Sequence, residues 1–142
     1  MHNNQIIEEA IKLVKKGVTV TFPVNGISML PFIVGGRESV MLVPAGEIRV
    51  GDIVLAWVDG NRYVIHRIIT IAGDRVTLMG DGNISGHEHC HLSDIAARAD
   101  YAVGPEGKRR YLYSRSQKCY SRLWRWLLPV RRYLLAIYKR IR

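Results

Sequence analysis

Two residues of this chain, a serine and a histidine, could together break a bond. Ser28 sits in the stretch Asn25-Gly26-Ile27-Ser28-Met29-Leu30-Pro31. Gly26 opens backbone angles closed to other residues, and Pro31 fixes the chain on the far side. A serine held in such a turn can present its hydroxyl as a nucleophile, although serine in a Gly/Pro turn is more commonly a turn residue. His66 sits in Tyr63-Val64-Ile65-His66-Arg67-Ile68. In an extended segment it shares a face with Val64 and Ile68, apolar neighbours that favour the neutral ring a general base needs. A satisfied core histidine is the plain alternative. No lysine occurs between Lys16 and Lys108, so a Ser-Lys dyad within that stretch has no chemical support.

The elements that must position these residues are legible from periodicity. Residues 4–16 read as an amphipathic helix, with Ile6, Ile7, Ala10, Ile11 and Val14 at helical spacing and Gly17 to close it. From Val18 the period becomes two, and Val18, Val20 and Phe22 form a strand leading to the serine turn. Ser39–Val43 and Ile53–Val58 read as further strands. Asp59-Gly60-Asn61 is a hairpin signal, so Arg62 to Ile71 should return antiparallel to Ile53–Val58. Ala72-Gly73-Asp74 turns the chain into a strand over Arg75–Met79. Gly80 to Ser93 reads as a polar loop, and residues 94–103 as a last strand or a short helix. The fold class is therefore mainly β, with short antiparallel strands, one N-terminal helix and a basic helical tail.

Four segments occur in order: Gly26-x-Ser28-Met29-x-Pro31, Gly51-Asp52-Ile53-Val54, Tyr63-Val64-Ile65-His66-Arg67-Ile68 and Gly80-Asp81-Gly82-Asn83. The series resembles the signal peptidase I family and, more distantly, the LexA-like self-cleaving repressors that share its fold. The resemblance covers roughly residues 18–103 and lies closest to the branch that uses histidine as base. It implies a serine endopeptidase, with Ser28 as nucleophile and His66 as base. Backbone N–H groups at the serine turn, including that of Ser28, would hold the oxyanion. It also makes Asp81 the natural third member, orienting the imidazole. The histidine-type members carry a further acid a few residues on. Here that stretch is Ser85-Gly86-His87-Glu88, so Glu88 as substitute and a simple dyad both stay open. Asp52 and Arg67 also match family positions and read as structural: a turn aspartate, and an arginine opposite His66 that could pair with an acid.

His87-Glu88-His89-Cys90-His91 packs potential ligands together, but the spacing matches no standard zinc box and offers no distant second half. It reads as a solvated loop, and no metal or cofactor is expected. The two cysteines, Cys90 and Cys119, imply no disulfide framework.

Charge divides the chain. Residues 1–107 hold nine Lys/Arg and twelve Asp/Glu, a balance of −3, whereas residues 108–142 hold twelve Lys/Arg and no acid, a balance of +12. The expected organisation is a body over 1–107 and a basic amphipathic tail over 108–142. In the tail Trp124, Trp126, Leu127, Leu128, Tyr133 and Leu134 interleave with arginines, and Pro129 should split any helix. That composition suits an anionic membrane surface bound through residues 119–142. Packing against the body is the plain alternative, and nucleic acid is disfavoured because no recognition motif accompanies the charge.

No apolar run reaches the ~18 residues that span a bilayer. The N-terminus lacks the features of a secretory signal. The expected location is the cytoplasm, peripheral at the membrane, where the enzyme would trim a dedicated peptide or precursor rather than exported proteins. Two rivals remain: a non-catalytic relative whose fold serves binding or regulation, and a self-cleaving repressor, disfavoured because no DNA-reading helix pair precedes the body.

Overall fold

The recurrence of Ile7, Ala10, Ile11 and Val14 becomes helix α1 (His2–Lys15) in a computed structural model that describes residues 2–24, 29, 33, 37–60, 62–81, 87–127 and 133–137. Gly17, at φ +87°, closes the helix by donating its N–H to Val14 O at 2.9 Å, a conformation only glycine adopts without strain. Lys12 and Lys15 lie in the last turn, where the helix dipole favours cations. The strands follow in order: β1 (Val20–Pro23), β2 (Ser39–Val43), β3 (Ile53–Val58), β4 (Arg62–Ala72), β5 (Arg75–Met79), β6 (Glu88–His91), β7 (Ile95–Val103) and β8 (Arg109–Tyr111). Helix α2 (Arg115–Trp126) comes after them, and residues 133–137 are again helical.

All eight strands join one antiparallel sheet in the order β1-β2-β7-β3-β4-β5-β6, with β8 paired to β7. Between β3 and β4 the chain turns at Asp59 (φ 52°) and Gly60 (φ 71°), the left-handed pair that the Asp-Gly signal predicts. The sheet curls. Asp59 N–H donates to His89 O at 3.1 Å and His89 N–H to Asp59 Oδ1 at 3.3 Å, so the far end of β3 meets β6.

Each face of the sheet has its own core. On one side Ile11 and Val14 of α1 pack with Val40, Leu42, Ile53, Leu55 and the alanines of β7. On the other, inside the curl, Val54, Ala56, Val58, Val64, Ile68, Val76, Leu78 and Cys90 form a second core. Strict alternation would put Ile71 opposite Ile68. The register shift between Ile68 and Thr70 inserts one residue, and Ile71 joins the Ile68 side.

Two segments differ from the sequence expectation. The stretch read as a loop over Gly80–Ser93 contains β6 and a 3-10 turn over Leu92–Asp94, with Glu88 and Cys90 inward and His89 and His91 outward. A strand whose inward residues are a carboxylate and a thiol has no apolar alternation to read. Residues 109–113, expected to begin the tail, also join the body. β8 extends the sheet, Leu112 is buried, and Tyr113 enters the first core. The Tyr113 hydroxyl accepts from Ile53 N–H at 2.9 Å and donates to Ala99 O, bridging β3 and β7. Burial pushes its pKa well up. Residues 95–103 are strand, the first of the two alternatives.

The inward side chain of β6 can be tested. Burial, with Asp94 and Asp59 nearby, pushes the Cys90 thiol up to about 11, whereas Cys119 is exposed. Iodoacetamide at neutral pH should therefore label Cys119 quickly and Cys90 at least ~10-fold more slowly, as read by mass spectrometry. Equal rates would mean that residues 88–91 are not an inward-facing strand.

Candidate functional site

Strand β4 carries its two informative residues side by side, His66 and Arg67, and alternation sends them to opposite faces. His66 opposes Val54 of β3 in the register, shares its side with Val64 and Ile68, and is 5% exposed. Leu78 of β5 opposes Ile68, and Glu88 of β6 opposes Leu78, so Glu88 reaches the same face two strands away. Its Oε1 lies 2.6 Å from His66 Nδ1, and both side chains are buried. Its Oε2 receives Arg62 Nη2 at 3.4 Å from the rim. A carboxylate only accepts, so Nδ1 carries the ring hydrogen in the neutral imidazole and the lone pair lies at Nε2.

On the opposite face Arg67 makes a second buried pair. Its Nε and Nη2 donate to Asp81 Oδ1 and Oδ2 at 2.8 and 2.7 Å, and its Nη1 donates to Gly51 O at 2.8 Å. Both residues are 3% exposed. Burial opposes the guanidinium charge, but the Asp81 charge and its hydrogen bonds prevail, and the Arg67 pKa is raised. The Asp81 backbone is engaged as well. Its N–H donates to Met29 Sδ at 3.5 Å and its carbonyl accepts from the Trp124 indole N–H of α2. Asp52 is a turn residue, as its sequence setting suggests: its carboxylate accepts Arg49 N–H at 2.9 Å.

The structure thus separates Asp81 from His66. Ser28 lies outside the described residues; the residue after it, Met29, is buried and bonded to Asp81. The orienting contact expected of Asp81 at the imidazole is made instead by Glu88, and the Asp81 carboxylate is taken up by Arg67. Parity is the physical reason. Met79 opposes Arg67, and Asp81 follows it by two residues on the Arg67 side; Glu88 falls in line with Leu78 and Ile68 on the His66 side. No local periodicity signals this pairing, because the register between β5 and β6 decides it. Among the described residues no group of three or more His, Cys, Asp or Glu is placed to hold a metal ion. His91 points outward and meets Asp74 at 3.1 Å. A cavity of about 420 Å³ opens beside α1, lined by Glu8, Lys15, Trp57, Tyr63 and Asp94 among others. It lies on the α1 side of β4, away from the His66–Glu88 pair.

No family model, curated protein or solved structure matches the chain.

The two buried pairs should respond differently to substitution. Asp81→Asn leaves the Arg67 guanidinium buried without its counter-charge and should cost about 3–5 kcal/mol in urea unfolding, with partial recovery in the double variant Arg67→Met/Asp81→Leu. Wild-type stability in Asp81→Asn would contradict the bidentate pair.

Proposed function

We propose that the protein is a serine endopeptidase of the signal-peptidase type, with Ser28 as nucleophile, His66 as general base and Glu88 as the carboxylate that orients the imidazole. The single observation that carries this reading is the 2.6 Å contact between His66 Nδ1 and Glu88 Oε1, buried at one end of a curled β sheet. A histidine that is only core filling needs no buried carboxylate, whereas a base in an acyl-transfer site needs one to fix its tautomer. The Gly26-x-Ser28-Met29-x-Pro31 segment and the lack of lysine between Lys16 and Lys108 support the same reading from the sequence side. So does the mainly antiparallel sheet, the architecture that the resemblance implies.

In the proposed mechanism Ser28 Oγ attacks a peptide carbonyl carbon as His66 Nε2 takes the hydroxyl proton. The tetrahedral oxyanion rests on backbone N–H groups of the serine turn. Collapse breaks the C–N bond, and the proton on Nε2 passes to the leaving amine. Water, deprotonated by the same nitrogen, then attacks the acyl-serine ester and frees the acid and Ser28. Throughout, Glu88 holds the Nδ1 hydrogen and stabilises the transient imidazolium. An extended substrate pairing with a strand edge, with small side chains before the scissile bond, fits such a site.

The test is hydrolysis of a fluorogenic peptide library biased toward small residues before the cleavage point. Ser28→Ala and His66→Ala should fall to background, and Glu88→Gln should lose about 10²–10⁴-fold in kcat with the fold retained by circular dichroism. Asp81→Asn should lose activity only as far as it loses folded protein. Full activity in Ser28→Ala would end the reading.

A further inference from the structure

Helix α2 has two chemically different sides. Gln117, Ser121 and Trp124, at spacings of four and three, turn toward the body: Ser121 is buried, and the Trp124 indole N–H is bonded to Asp81 O. Lys118, Arg122, Leu123 and Trp126 occupy the other side and are exposed, Trp126 to 77%. Lys118 and Arg122 have no ion pair among the described residues. Further along, Tyr133 and Ile137 are also exposed, while Leu135 is buried. Exposed aromatic and aliphatic side chains thus recur within the segment 108–142, which carries twelve cations and no acid.

We propose that this outward face of α2, with Tyr133 and Ile137, docks on an anionic lipid surface. The aromatic and aliphatic groups would enter the interfacial layer while Lys118 and Arg122 meet lipid phosphates. Charge complementarity selects this occupant. An apolar protein partner would leave the two cations uncompensated, and a polyanion such as RNA would leave Trp126 and Leu123 without an apolar layer to enter. The inner face is fastened to Asp81, the partner of Arg67, which follows His66 in β4 on the opposite face, so the docked helix would hold the body that carries the candidate site at the lipid surface. In this respect the inference rests on the peptidase reading and gives it a location: substrates presented at a membrane.

Binding is measured without reference to activity, so the two proposals can fail separately. The full chain is sedimented with vesicles of phosphatidylcholine alone and of phosphatidylcholine with phosphatidylglycerol. It should pellet with the mixed vesicles and not with the neutral ones, and added salt should release it. Lys118→Gln/Arg122→Gln should bind roughly 30-fold more weakly, from about a fivefold loss per cation. Trp126→Ala should also bind more weakly, with thermal unfolding of both variants unchanged. Trp126 fluorescence should shift to the blue on binding, the signal being isolated as the difference between wild type and Trp126→Phe, since Trp57 and Trp124 also emit. Equal pelleting with neutral vesicles, wild-type binding by the charge variant, or binding to a single-stranded oligonucleotide with none to vesicles would each overturn the docking surface.

Discussion

The buried ion pair between Arg67 and Asp81 is the constraint on which the rest of the site depends. A planar guanidinium and a carboxylate joined by two parallel hydrogen bonds have one favourable relative orientation, and here neither partner can move to water. The pair therefore sets where the chain leaves β5. Asp81 is then held from two further directions, by Met29, the neighbour of Ser28, and by Trp124 of α2, while Arg67 is itself tied to Gly51. Four stretches far apart in sequence meet at one residue. Breaking such a pair leaves an uncompensated charge in a low-dielectric interior, which is why its geometry persists.

Strand alternation keeps the two kinds of charge apart. His66 and Arg67 are neighbours in the chain but serve opposite faces of β4, one with Glu88 in the curl and one with Asp81 on the α1 side. In the proposed reading His66 moves a proton, and alternation keeps it off the face where a charge is committed to holding the fold. Adjacent positions on one strand achieve this separation at no conformational cost. The curl of the sheet, closed by Asp59 and His89, brings β6 near enough for Glu88 to reach a histidine two strands away.

Part of the chain beyond residue 107 belongs to the body, which its basic composition does not suggest. Its first residues finish the sheet and the first core through β8, Leu112 and Tyr113, and the helix that follows lays one side on the body. The segment holds no acid to pair with its cations, and Lys118 and Arg122 of α2 face outward. No described helix is long and apolar enough to cross a membrane.

Much of the architecture could be read from the residues. Helical spacing located α1, period-two alternation located β1, short runs set off by turn signals located β2, β3 and β5, and Asp59-Gly60 located the turn between β3 and β4, because each is a local preference that packing reinforces. His66 was legible as a half-buried residue between Val64 and Ile68. What the residues could not reveal was which acid faces it. A resemblance pointed to Asp81 because a short motif places it there, whereas strand register, a long-range property, sends Asp81 to Arg67 and Glu88 to His66. β6 carries no local signal for the same reason: its inward residues are a carboxylate and a thiol, and only a partner two strands away makes the carboxylate acceptable there. Periodicity settles what a single element does, while pairing between distant elements settles which charges meet.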